Sequence, residues 1–109
     1  MSKIPSKHYH RIKEHHPEFM KAVEALGKAT KQEGPIEEKT AELIQLAAAA
    51  SIRSEGAVHS HVRRALEAGS PTEEIYHAII LLTSIIGFPA VASAISWAND
   101  VIKGSTQEK

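Results

Sequence analysis

Between residues 78 and 98 the chain carries no charged side chain, and a stretch of that length could cross a bilayer as one helix. Gly87-Phe88-Pro89 breaks it in the middle: glycine closes one helix, and proline, which lacks an amide hydrogen, opens another rather than continuing the first. Alanine, serine and threonine also keep the run only moderately apolar. The stretch therefore reads as two packed helices buried on most sides, not as a membrane span. Its apolar surface exceeds what two helices of a solitary small domain should carry, since each would normally keep a polar outer face. The expectation is a homo-oligomer in which this region lines a subunit interface.

The same punctuation divides the rest of the chain. Residues 6–33 are largely polar, with Phe19, Met20, Val23, Leu26 and Gly27 at spacings of three and four. That spacing predicts one amphipathic helix starting near His16-Pro17, with a short turn before it. Gly34-Pro35 stops it. A second helix is predicted over residues 36–52, with Glu37 and Glu38 at its positive end and Ala47-Ala48-Ala49-Ala50 letting a neighbour approach closely. Ser54 can cap a third helix to residue 68, with Ala57, His61, Ala65 and Leu66 along one side and Gly69 as left-handed terminator. Ser70-Pro71-Thr72-Glu73 reads as a capping box opening a fourth helix, in which Ile75, Ile79, Leu82 and Ile86 repeat with helical period up to Gly87. Pro89 opens a fifth over residues 90–102, with Val91, Ile95 and Ala98 on one face and Trp97 on another, before a polar tail at 103–109. No segment alternates with period two. At 109 residues the reading is a single all-α domain, a bundle of five to six helices.

Charge and composition exclude several classes of function. Lysine plus arginine equal aspartate plus glutamate at 13 each, so no summed basic field points to nucleic acid or an anionic membrane. Without cysteine the chain has no disulfides, thiolate metal sites or cysteine nucleophiles. The Met1-Ser2-Lys3-Ile4-Pro5 start lacks an apolar signal core, so a cytoplasmic location is expected. Seven histidines can add charge below about pH 6.5.

No phosphate loop, nucleophile elbow or zinc-protease motif occurs, which leaves the histidines, Glu42 and the arginines. His59 and His61 lie two apart on a helix and point about 200° apart, so they cannot serve one metal from that helix alone. His8, His10, His15 and His16 could add ligands, although a histidine-rich start is more often simply solvated. No metal and no cofactor is expected. If the second and third helices form a hairpin around Arg53-Ser54, Glu42 and His61 lie at comparable distances from the turn and can face each other. Such a pair could relay a proton, the carboxylate fixing the imidazole tautomer; equally, it could be a satisfied polar bridge between helices. Arg53, Arg63 and Arg64 lie at or beyond the same hairpin, Arg64 on the side of His61, and a guanidinium there would suit a carboxylate. Arg53, Arg64, Ser54 and His59 form the expected substrate-binding set.

The segments Lys39-Thr40-Ala41-Glu42-Leu43-Ile44, 53–61, Ala65-Leu66-Glu67-Ala68-Gly69-Ser70-Pro71-Thr72-Glu73-Glu74-Ile75 and Gly87-Phe88-Pro89-Ala90 resemble the carboxymuconolactone decarboxylase family, which also contains the alkylhydroperoxidase D proteins. The likeness covers residues 35–98. It implies an all-helical fold with the second and third helices as a hairpin at the site. It also implies assembly into trimers, hexamers or other rings, in which a neighbouring subunit can complete the site. Alkylhydroperoxidase D members reduce peroxides with a glutamate, a Cys-x-x-Cys pair and, after three intervening residues, a histidine. On this sequence the glutamate falls on Glu42 and the histidine on His61, while the cysteine positions hold Ser54 and Ala57. The proton relay is kept and the thiol chemistry is lost, since a serine hydroxyl is too weak an acid to replace a thiolate. The decarboxylase branch lacks that cysteine pair. The resemblance then makes His61 the proton donor or relay and Glu42 its orienting partner. A carboxylate clamp at Arg53 or Arg64 is our inference. The expected function is a lyase acting on a small carboxylated lactone or related acid, with a non-catalytic small-molecule-binding oligomer and a metal-binding variant as alternatives.

Overall fold

The computed structural model describes residues 7–107, with side chains to Gly104; the expectation drawn from residues 1–5 lies outside the described residues. Seven helical segments and no strand occur among them: α1 (Lys7–His15), α2 (Pro17–Gln32), α3 (Glu38–Ser51), α4 (Glu55–Glu67), α5 (Thr72–Ile80), α6 (Thr83–Ile86) and α7 (Phe88–Gln107). The all-α expectation holds. The short turn expected before α2 is a full helix, α1, whose half-buried Tyr9 and Ile12 lie three residues apart on the face turned to α2. Pro17 occupies the first turn of α2, as expected.

α3 starts two residues later than expected, because Glu37 is extended with φ −66° and ψ 159°. Its C-terminus makes the tight turn on which the site depends. The Arg53 amide donates to the Ala50 carbonyl and the Ser54 amide to the Ala49 carbonyl, both at 3.0 Å, which is the double closure of a Schellman turn. The left-handed position of that turn is Arg53, at φ 58°, rather than glycine. Ser54 follows at once as the cap of α4, its Oγ accepting from the Ala57 amide at 3.3 Å. α4 ends on the same closure with Gly69 at φ 93° in the left-handed place.

That second closure explains why the expected capping box does not form. Ser70 is buried and its amide closes α4 on the Ala65 carbonyl, so Pro71 becomes the residue before α5 and no side chain caps that helix. The single fourth helix expected up to Ile86 is also interrupted. The Leu82 amide donates to Ile79 at 3.0 Å and the Thr83 hydroxyl takes the Ile80 carbonyl at 2.7 Å, so the chain tightens between α5 and α6. α7 begins at Phe88 and runs through the expected tail to Gln107.

The core lies between α3, α4, α5 and α7. Leu46, Val58, Val62, Ala65, Ile75, Ile79, Ala94 and Ala98 are each 0% exposed. Ala49 and Ala50 are buried where α3 meets its neighbours, as the small-residue run requires. α1 and α2 pack mainly on each other. Of the apolar stripe on α2 only Met20 is buried, while Phe19, Val23 and Leu26 stay exposed. A second group of exposed apolar side chains, Ile80, Leu81, Ile85 and Phe88, sits where α5, α6 and α7 follow one another. No helix among the described residues is long and apolar enough to cross a membrane.

Candidate functional site

The α3–α4 hairpin brings Glu42 and His61 together. His61 Nδ1 lies 2.9 Å from Glu42 Oε1, and with the carboxylate ionised Nδ1 carries the hydrogen and donates it. The bond leaves Nε2 as the ring nitrogen open to further chemistry. The Glu42 side chain is 1% exposed and that of His61 18%, so the carboxylate sits behind the imidazole and only the latter lines the adjoining cavity.

The other oxygen of Glu42 meets a residue from a different part of the chain. Lys31, near the end of α2, forms an ion pair through its ammonium with Oε2. Burial pushes the Glu42 carboxyl up, but the His61 hydrogen bond and the Lys31 ammonium outweigh it and hold the group below its ordinary value of 4.5. Glu42 is therefore an ionised, buried carboxylate clasped on both oxygens.

The cavity in front of this cluster has a volume of about 930 Å³. α2 supplies one wall, α3 and α4 the other, and Tyr9 of α1 the rim. Met20, Val23, Ala48, Ala49, Ile52 and Ala57 give it an apolar lining, and Lys28, Lys31 and Arg64 contribute positive charge against Glu24 and Glu38. Glu24 is engaged by the Tyr9 hydroxyl and by Lys13 Nζ at 3.3 Å. The Tyr9 hydrogen bond is the main cause holding the Glu24 carboxyl low, and the same bond raises the Tyr9 phenol. Gln45 also lies in the cavity wall, with its Oε1 buried and without a hydrogen-bond partner.

Of the expected binding residues, Arg64 lines this cavity and Arg53, Ser54 and His59 do not. Arg53 is exposed on the turn, and Ser54 spends its hydroxyl on the cap of α4. His59 faces α7, with Nε2 3.0 Å from Asp100 Oδ2 and 3.9 Å from Glu55 Oε2. The two-residue step from His59 to His61 accounts for this, since it turns the rings to opposite sides of α4. Glu55, His59 and Asp100 could together touch one cation, but both carboxylates are 57% exposed and the His59–Asp100 contact already explains them as a bridge between α4 and α7. Arg63 reaches the Ser60 hydroxyl at 3.5 Å and is also absent from the cavity wall. Ala57, at the second cysteine position of the resemblance, lines the cavity with a methyl group.

Sequence reasoning missed Lys31, Gln45, Tyr9 and Lys28. Tyr9 sits on α1, which was read as a turn, and the two lysines lie in a polar run where nothing distinguishes one from another. Gln45 could have been found from its place one helical turn after Glu42 on the same face.

The model of the carboxymuconolactone decarboxylase family matches residues 17–100, from the first residue of α2 to the middle of α7. No curated protein and no solved structure matches the chain.

Proposed function

This chain belongs to the carboxymuconolactone decarboxylase family, and we propose that it is a carbon–carbon lyase acting on a small carboxylated lactone or related acid by proton relay through His61. The observation that carries the reading is the Glu42–His61 contact of 2.9 Å at the wall of a cavity lined by both apolar and charged side chains. Decarboxylation of such an acid breaks the bond to the carboxyl carbon, passes the electron pair into a conjugated double bond, releases carbon dioxide and then needs a proton at a remote carbon. His61, its Nδ1 fixed by Glu42, can deliver that proton from Nε2. Arg64 supplies a guanidinium for an acid group, and Gln45 an amide for the lactone. With no thiol, peroxide reduction by thiol–disulfide exchange is not among its reactions.

We further read the protein as a homo-oligomer. The exposed Ile80, Leu81, Ile85 and Phe88 are more apolar surface than a solitary chain of this size usually shows. Equilibrium sedimentation at micromolar concentration should give a multiple of the 11.9 kDa chain mass; a stable monomer contradicts this part of the reading. For the activity, loss of the ultraviolet absorbance of 4-carboxymuconolactone on adding purified protein is the expected result. An unchanged spectrum beside saturable binding of the same acid would replace the lyase by a binding role.

A further inference from the structure

We propose that Lys31 is the carboxylate receptor of this site, and that its transfer from Glu42 to an incoming carboxylate causes His61 to take up one proton from solvent. The proposal rests on the lyase reading for its meaning in catalysis, but not for its test.

Lys31 occupies two environments at once. Its ammonium is paired with a carboxylate whose side chain is 1% exposed, yet its own side chain is 21% exposed and borders the cavity. It is carried by α2, whose hold on the α3–α4 hairpin is slight, on a flexible four-carbon stem ending in three donors. A carboxylate entering the cavity therefore meets an ammonium that can turn toward it. Arg64 and Lys28 border the same space, but neither is paired with Glu42.

The consequence follows from charge. While Lys31 holds Glu42, the buried carboxylate has a counter-charge and His61 need only donate a neutral hydrogen bond. Once Lys31 pairs with the ligand, Glu42 is left buried without a cation, which is unfavourable. One proton added at His61 Nε2 restores the balance, because the imidazolium then neutralises Glu42 and Lys31 neutralises the ligand. The other charged or titratable groups bordering the cavity are Tyr9 and Glu24, which hold each other, together with Glu38, Lys28 and Arg64. None of them is paired with Glu42, whose ion pairs are with Lys31 and His61.

Under the lyase reading this loads the acid before the chemistry. Loss of carbon dioxide from a carboxylate, with the C–C electron pair passing to the conjugated system, consumes one proton to form the new C–H bond. Binding would place that proton on His61. The carboxylate held by Lys31 is one that stays in the product, since a cation on the departing group would favour the ground state.

Titration calorimetry with succinate as probe, in two buffers of different ionisation heat at equal salt and pH 7.5, tests the exchange. The wild-type protein should bind with a heat that differs between buffers, in the sense of proton uptake approaching one per ligand. Lys31→Met should bind about tenfold or more weakly and lose the buffer dependence, while Lys31→Arg keeps both. His61→Gln should bind succinate and take up no proton. Circular dichroism establishes that each variant is folded, and Lys31→Arg together with His61→Gln carries the test if Lys31→Met is not. Absence of succinate binding at millimolar concentration, equal heats in both buffers for the wild type, or wild-type affinity in Lys31→Met overturns the proposal. Lactone turnover without proton-linked binding removes the exchange and keeps the lyase; proton-linked binding without turnover does the reverse.

Discussion

The two walls of the cavity are held by different means. The α3–α4 wall is part of the core: Leu46, Val58 and Val62 are fully buried, and both closures of the hairpin are hydrogen-bonded turns. The α2 wall turns most of its apolar stripe to solvent and reaches the site through one ammonium on one carboxylate oxygen. Packing therefore fixes the half that positions His61, while the half that carries Lys31 is held by little more than buried Met20 and electrostatics. A proton donor needs a fixed direction and a receptor needs to move, so the division matches the proposed chemistry.

The largest difference between the walls should appear in stability. Leu46→Ala removes a fully buried side chain and should cost about 2–5 kcal/mol in urea unfolding, whereas Leu26→Ala on α2, 65% exposed, should cost no more than about 0.5 kcal/mol. Comparable costs would mean that a second copy covers the α2 stripe. Acid should next separate the two walls. Because the folded Glu42 carboxyl lies below its ordinary 4.5, its contribution to stability is complete above that range and is lost as pH falls through the folded value. Hydrogen exchange on lowering the pH should show α2 opening before α3 and α4. Lys31→Met should reproduce that selective opening at neutral pH, at a local cost of about 1–3 kcal/mol; equal loss of protection in α3 would break the comparison. The smallest effect is expected within the rigid wall. Arg53 stands in the left-handed position that Gly69 fills at the end of α4, so Arg53→Gly should raise stability by about 1 kcal/mol, read as a higher urea midpoint.

These differences also mark what the sequence made legible. Glu42 and His61 could be paired because both are counted from one turn, and helical geometry carries that count into space. Gly69 and Gly87 announced their helix ends because glycine suits the positive φ both adopt. Arg53 gave no such signal, since its conformation is imposed by the closure around it. Lys31 could not be paired with Glu42, because the bent, non-helical link through Gly34-Pro35 breaks any periodic relation between α2 and α3. The α5–α6 break was hidden by apolar residues that keep helical spacing across it, and His59 was assigned to the site only by its nearness in sequence to His61.

The central claim is that the ring facing Glu42 is the one that moves a proton. His61→Ala and His59→Ala, assayed side by side for 4-carboxymuconolactone turnover with helical content checked, test it most directly. The account predicts that His61→Ala loses at least about a hundredfold in rate while His59→Ala, facing α7, keeps the wild-type rate; unaltered turnover in His61→Ala would contradict it.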